Sequence, residues 1–147
     1  MVFAYLAARY SRREELCTYA NDLRTMGVQI TSRWLNGAHH ATDEELMLPG
    51  REQLRKRFAL EDWEDLLAAD LLIAFTDPLR SATSRGGRHV EFGMALGMGK
   101  RILVVGPLEN VFYCLPWVEV VPDWSVALLR LRWAASYQAA LISPEGT

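Results

Sequence analysis

Glu91, in the run Gly86-Gly87-Arg88-His89-Val90-Glu91-Phe92-Gly93, and Asp62, in Glu61-Asp62-Trp63-Glu64-Asp65, stand out among the 18 acidic residues by their settings. Glycines ahead of a helix let its free backbone N–H groups approach an anion closely, and the helix dipole favours negative charge there. The spacing puts Glu91 in the first turn of that helix, where a carboxylate is held ionised, as a nucleophile at pH 7 must be. The same position also suits a plain helix-stabilising glutamate, worth a few tenths of a kcal/mol up to about 1 kcal/mol. Asp62 sits in a charge cluster that fits a solvated helix face. Leu66, four residues on, nevertheless shares its side of the helix and turns Asp62 toward the edge of a sheet. Taken together, the two would supply the carboxylate pair that glycosyl chemistry uses.

Other chemistries find less support. Gly93, Gly97 and Gly99 with Lys100 imitate a P-loop, but the glycine spacing is one residue too long and Arg101 stands where Ser or Thr is needed. Ala7-Ala8-Arg9 occupies the place of a dinucleotide-binding glycine motif. His39, His40 and His89 lack metal-ligand spacing, so no metal is expected, and Cys17 and Cys114 are too few for a disulfide framework or a zinc site. Sixteen basic residues against 18 acidic give a net charge of −2, which argues against a nucleic-acid polymer as partner. No apolar run reaches the roughly 20 residues of a membrane span, and no positive n-region precedes the apolar opening. A reduced, cytoplasmic protein is expected.

The elements that must position the two acids follow from the apolar pattern. Val2–Ala8 reads as a strand buried on both faces. Ser11 and Glu14 form a capping box for a helix whose Leu16, Tyr19, Ala20, Leu23 and Met26 recur at helical spacing, with Gly27 as its stop. Val28–Thr31 is a second strand, completing a β-α-β unit. The charged stretch from Trp34 to Phe58, broken by Pro49-Gly50, reads as one or two exposed helices beside the sheet. A helix over Leu60–Ala69, a strand over Leu71–Phe75, a polar loop over Thr76–Gly87 and a helix over Arg88–Gly99 follow. Strands at Ile102–Val105 and Val118–Val121 then precede a last helix, capped by Asp123 and running to about Leu141. Residues 1–142 form one domain and 143–147 a frayed tail. The alternation gives a three-layer α/β sandwich with a five-stranded parallel sheet. In such sheets ligands bind beyond the carboxyl ends of the strands.

Tyr5-Leu6-Ala7-Ala8, then Asp62-x-x-x-Leu66-x-x-Ala69-Asp70 before a buried strand, then Gly87-Arg88-His89-Val90-Glu91-Phe92-Gly93-Met94-Ala95, then Gly99-Lys100-Arg101-Ile102 resemble the nucleoside 2-deoxyribosyltransferase superfamily, which includes 2′-deoxynucleoside 5′-phosphate N-hydrolases. The likeness runs from about Val2 to Trp124. It implies a flavodoxin-like fold with strand order 2-1-3-4-5, no cofactor, and cleavage of the N-glycosidic bond of a nucleoside or nucleotide. By carry-over Glu91 is the nucleophile, Asp62 handles the proton on the leaving base, and Tyr5 orients Glu91. The transferase branch has a further Asp shortly before the nucleophile, where this chain has Ser81, Ser84, Arg85 and two glycines. That loop suits a 5′-phosphate, with Ser84, Gly86, Gly87 and either Arg9 or Ser11 as ligands. Sites in the superfamily also borrow a side chain from a neighbouring subunit, for which Asn110 is the nearest candidate. Trp34 could stack on the base or serve as an edge-of-core residue. A non-catalytic nucleotide-sensing module of the same fold is the alternative, against which the intact Tyr5–Asp62–Glu91 set speaks. The apolar run Val111, Phe112, Tyr113, Leu115, Pro116 and Trp117 leads us to expect a homodimer or higher homo-oligomer.

Overall fold

The computed structural model describes residues 1–37, 45, 47–78 and 86–142, with side chains to residue 136 in the last helix. The proposed phosphate ligand Ser84, with Ser81, Thr83 and Arg85, lies outside the described residues, as do His39, His40 and the 143–147 tail.

Five strands, β1 (Phe3–Ala7), β2 (Gln29–Ile30), β3 (Leu71–Phe75), β4 (Arg101–Val105) and β5 (Val118–Val121), form one sheet of order 2-1-3-4-5. Every pairing is parallel. All five residues of β3 are buried, as is expected of a central parallel strand covered on both faces. Among the described residues four helices do the covering: α1 (Arg13–Thr25), α2 (Glu52–Ala68), α3 (Gly87–Gly97) and α4 (Trp124–Ile142).

Register decides which face each helix meets. Tyr5 pairs with Leu72 and Leu6 with Ile73, so Tyr5 and Leu72 share one face while Leu6, Ile73 and Phe75 share the other. On the Phe75 face, Tyr19 of α1 stacks on Trp124 of α4 at 4.5 Å between ring centroids and on Phe75 at 5.4 Å. The Trp124 indole N–H also donates to Asp22 of α1 at 2.9 Å, which ties the two helices together. On the Tyr5 face, α3 turns Arg88, Phe92 and Ala95 inward at helical spacing.

Several boundaries differ from the sequence pattern. The capping box at Ser11 does not form. Tyr10–Arg12 is a 3-10 turn, α1 starts at Arg13 with no side-chain cap, and Arg12 holds Glu15 through two 2.8 Å bonds. Helix α2 is longer than expected. It begins at Glu52, directly after Gly50 turns the chain with φ +84°, and buries Phe58, Asp65 and Leu66. The expected cap at Asp123 is present, its carboxylate accepting the Val126 N–H at 3.0 Å.

Candidate active site

The Tyr5 side chain is fully buried, and its hydroxyl donates a 2.7 Å hydrogen bond to Oε1 of Glu91. The two residues are 86 positions apart in the chain. Strand β1 supplies one and helix α3 the other, so the contact exists only once the sheet has formed. Asp62, half-buried on α2 one turn before the fully buried Leu66, lies close enough for its charge to act on both Tyr5 and Glu91. The structure therefore gathers the three residues into one neighbourhood.

Glu91 stands in the second turn of α3 rather than the first, because the helix starts at Gly87. The dipole that was expected to hold it ionised is correspondingly weaker there. Burial dominates instead. Desolvation pushes the carboxyl up to about 8, the Tyr5 hydrogen bond opposes the rise, and the charge of Asp62 adds to it. This corrects the expectation of a carboxylate kept ionised at pH 7. Tyr5 is likewise raised well above its ordinary value, by burial first and by the charges of Glu91 and Asp62 next.

Gly86 carries φ +86° immediately before α3, a backbone state open to glycine and costly for other residues. Its carbonyl accepts the N–H groups of His89 and Val90. Arg9 is held by a 2.8 Å ion pair from Nε to Asp77. Ser11 is exposed in the 3-10 turn after β1. Trp34 is buried and donates its indole N–H to the Leu6 carbonyl at 2.9 Å, so it is the edge-of-core residue of the two alternatives rather than an open platform for a base. The Asn110 side chain caps a 3-10 turn over Val111–Cys114 by accepting the Phe112 N–H at 3.0 Å.

A second group of charges, unread from the sequence, borders the same end of the sheet. Asp77, buried just past β3, meets Arg9, Arg12 at 3.4 Å and Arg88 at 3.4 Å. Glu109, in the loop after β4, accepts the Asp77 N–H and pairs with the buried Arg88 at 2.5 Å. His89 Nε2 lies 3.2 Å from the same carboxylate, and His89 Nδ1 lies 3.1 Å from the Tyr113 hydroxyl. Two signals pointed this way: an acid two residues past a buried strand, and an arginine on the inward side of the helix that follows. The cavity of about 380 Å³ at the opposite, amino-terminal edge of the sheet is lined mostly by apolar residues such as Leu23, Met26, Val28 and Leu131, with Asp70 and Arg101 at its rim.

No family model matches the chain, and no curated protein matches it in sequence. Solved structures do match it in fold. The 2-deoxyribosyltransferase of the psychrotolerant bacterium Bacillus psychrosaccharolyticus superposes with a TM-score of 0.65 at 17% identity, over 86% of this chain and 90% of that one. A Clostridium botulinum CMP N-glycosidase gives 0.53 at 19% identity, over 88% and 98% of the two chains. A conserved protein from Enterococcus faecalis V583 gives 0.58 at 17%, over 91% and 99%. What is shared at these identities is the fold, in agreement with the likeness carried by the motifs.

Proposed function

We propose that this protein cleaves the N-glycosidic bond of (2′-deoxy)nucleosides or their 5′-monophosphates through a covalent glycosyl-Glu91 intermediate. The observation that carries this reading is the 2.7 Å Tyr5–Glu91 hydrogen bond with the charge of Asp62 acting on both partners. Tyr5 fixes Oε1 and leaves Oε2 for the anomeric carbon. As Oε2 forms its bond to C1′, the C1′–N bond breaks with its electrons going to the base. Asp62 delivers a proton to the ring nitrogen, so the base leaves neutral. In the second half, water or another base attacks C1′ and frees the Glu91 carboxylate, with Asp62 taking up the proton that the water or the ring nitrogen of the incoming base gives up. Two carboxylates flanking an oxocarbenium-like transition state suit this sequence. The nucleoside- and nucleotide-processing neighbours on the same fold support the class of substrate.

For a 5′-monophosphate, we place the phosphate against Gly86 and Gly87, with Arg9, Ser11 and Ser84 as further ligands. Arg9 would bring a cation that stands in a 2.8 Å ion pair with Asp77.

The test is incubation with a panel of deoxynucleosides and deoxynucleoside monophosphates, followed by chromatography for free base. Release by wild type that is lost in Glu91→Ala is expected. Binding without release would overturn the reading and leave a nucleotide-sensing module. A second base added to the mixture yields a new nucleoside only if the glycosyl group is transferred.

A further inference from the structure

Segment 78–86 joins β3 to the helix that carries Glu91, and one carboxylate holds both of its ends. Glu109 Oε1 accepts the backbone N–H of Asp77, just before the segment. Its Oε2 takes Arg88 at 2.5 Å and faces His89 at 3.2 Å, just after it. Arg88 completes the ring by reaching Asp77 at 3.4 Å. The clamp is sheltered: side-chain exposure is 6% for Arg88, 4% for Asp77 and 11% for Glu109, so the pairing works in a poorly screened setting. A further tie fixes the same turn to the loop after β4. His89 Nδ1 meets the Tyr113 hydroxyl, and the Tyr113 ring packs edge-on against Phe92 at 4.7 Å. Glu91 lies between these anchors, three residues past Arg88 and one before Phe92.

We propose that Glu109 is a positioning residue for Glu91: by clamping Asp77 to Arg88 and His89 it sets where α3 begins, and hence how Glu91 meets Tyr5. The proposal rests on the reading of Glu91 as nucleophile. A displacement of about 1 Å at a reacting group costs on the order of 100-fold in rate. Glu109→Ala is therefore expected to lower kcat 10- to 100-fold on a nucleoside without a 5′-phosphate while changing its KM less than its kcat. For a 5′-monophosphate KM should rise as well, because the phosphate is placed at the start of α3. Glu109→Gln keeps an acceptor for the Asp77 N–H, loses the charge opposite Arg88, and should fall between. Opening the start of α3 also admits water to Glu91, so the rising limb of kcat/KM should move below the value near 8 set by its burial. A role confined to stability would lower the melting temperature and move neither kcat nor that pH.

Hydrogen exchange supplies a readout that does not depend on turnover. In Glu109→Ala the Asp77 amide and the amides of 89–91 should exchange faster, while β1 and β4 stay protected. Wild-type turnover with unchanged kcat and pH limb in both variants overturns the proposal. Absence of base release by wild type overturns the reaction instead. The clamp is then judged on exchange alone: faster exchange at Asp77 and 89–91 supports it, and unchanged exchange sinks it.

Discussion

A carboxylate that attacks carbon must first lose its proton, and the Glu91 carboxyl holds its proton to about pH 8 because burial strips it of water. If it is the nucleophile, the rising limb of kcat/KM should lie near pH 8, as a pH–rate profile of the free enzyme would record. Tyr5→Phe removes the one hydrogen bond that favours the ionised form. It should push that limb higher and lower kcat by roughly 10- to 100-fold, the worth of a hydrogen bond to a charged group. The same burial has a thermodynamic consequence. The folded carboxyl titrates near 8 and the unfolded one near its ordinary 4.5. The folded state therefore loses ground as pH climbs between those values, with no penalty below 4.5 and a full one above 8. Glu91→Gln, which keeps an oxygen for the Tyr5 hydroxyl, should stabilise the protein by about 2–4 kcal/mol more at pH 9 than at pH 4. Urea unfolding at the two pH values checks this, and an equal effect at both would mean the carboxyl is well hydrated.

Elements with an apolar or periodic pattern were legible in the sequence; elements held by distant charges were not. Strands β1, β3, β4 and β5 follow apolar or β-branched runs, and their buried faces match. Helix α2 was cut short because residues 52–57 carry charge and a single leucine, so no period marks them. The capping box failed at Ser11 because Glu15, not Glu14, is engaged, taking both Arg12 and the Tyr19 hydroxyl. Tyr5, Asp62 and Glu91 could be nominated from their motifs, whereas Arg88 and Glu109 are 21 residues apart and Arg12 and Asp77 are 65 apart, with no local repeat joining them. Asp65 is another such tie. Buried on α2, it accepts both the Arg33 backbone N–H and Nε at 2.7 Å, fastening the helix that bears Asp62 to the turn after β2. Asp65→Ala strands that N–H and should cost about 2–4 kcal/mol by urea denaturation, with Asp65→Asn between. A loss within 0.5 kcal/mol would show that the turn finds water instead.

At the scale of the whole molecule, an exposed apolar surface lies on the loop that runs from the carboxyl end of β4 to the amino end of β5. The loop between β4 and β5 contributes Glu109 to the clamp and buries Tyr113, yet it leaves Val111 75%, Phe112 61% and Trp117 68% exposed. Burying Tyr113 and packing Leu115 against the core account for two members of the apolar run; Val111, Phe112 and Trp117 remain in water at a cost of roughly 25 cal/mol per Å² that a second surface would recover. Asn110, the residue nominated for a neighbour's site, sits at the head of this same turn, so copies meeting on Val111 and Phe112 would carry it along. We therefore predict a homo-oligomer in which this loop is covered. Sedimentation at micromolar concentration should give at least twice the monomer mass, and Phe112→Glu with Trp117→Glu should reduce it to one chain. Neither residue belongs to the core cluster, so the double variant should keep its fold by circular dichroism. If the loop completes the site across the interface, that monomer should also lose turnover. A wild-type protein that sediments as a single chain, or a double variant with unchanged mass, would place the covered surface elsewhere or nowhere.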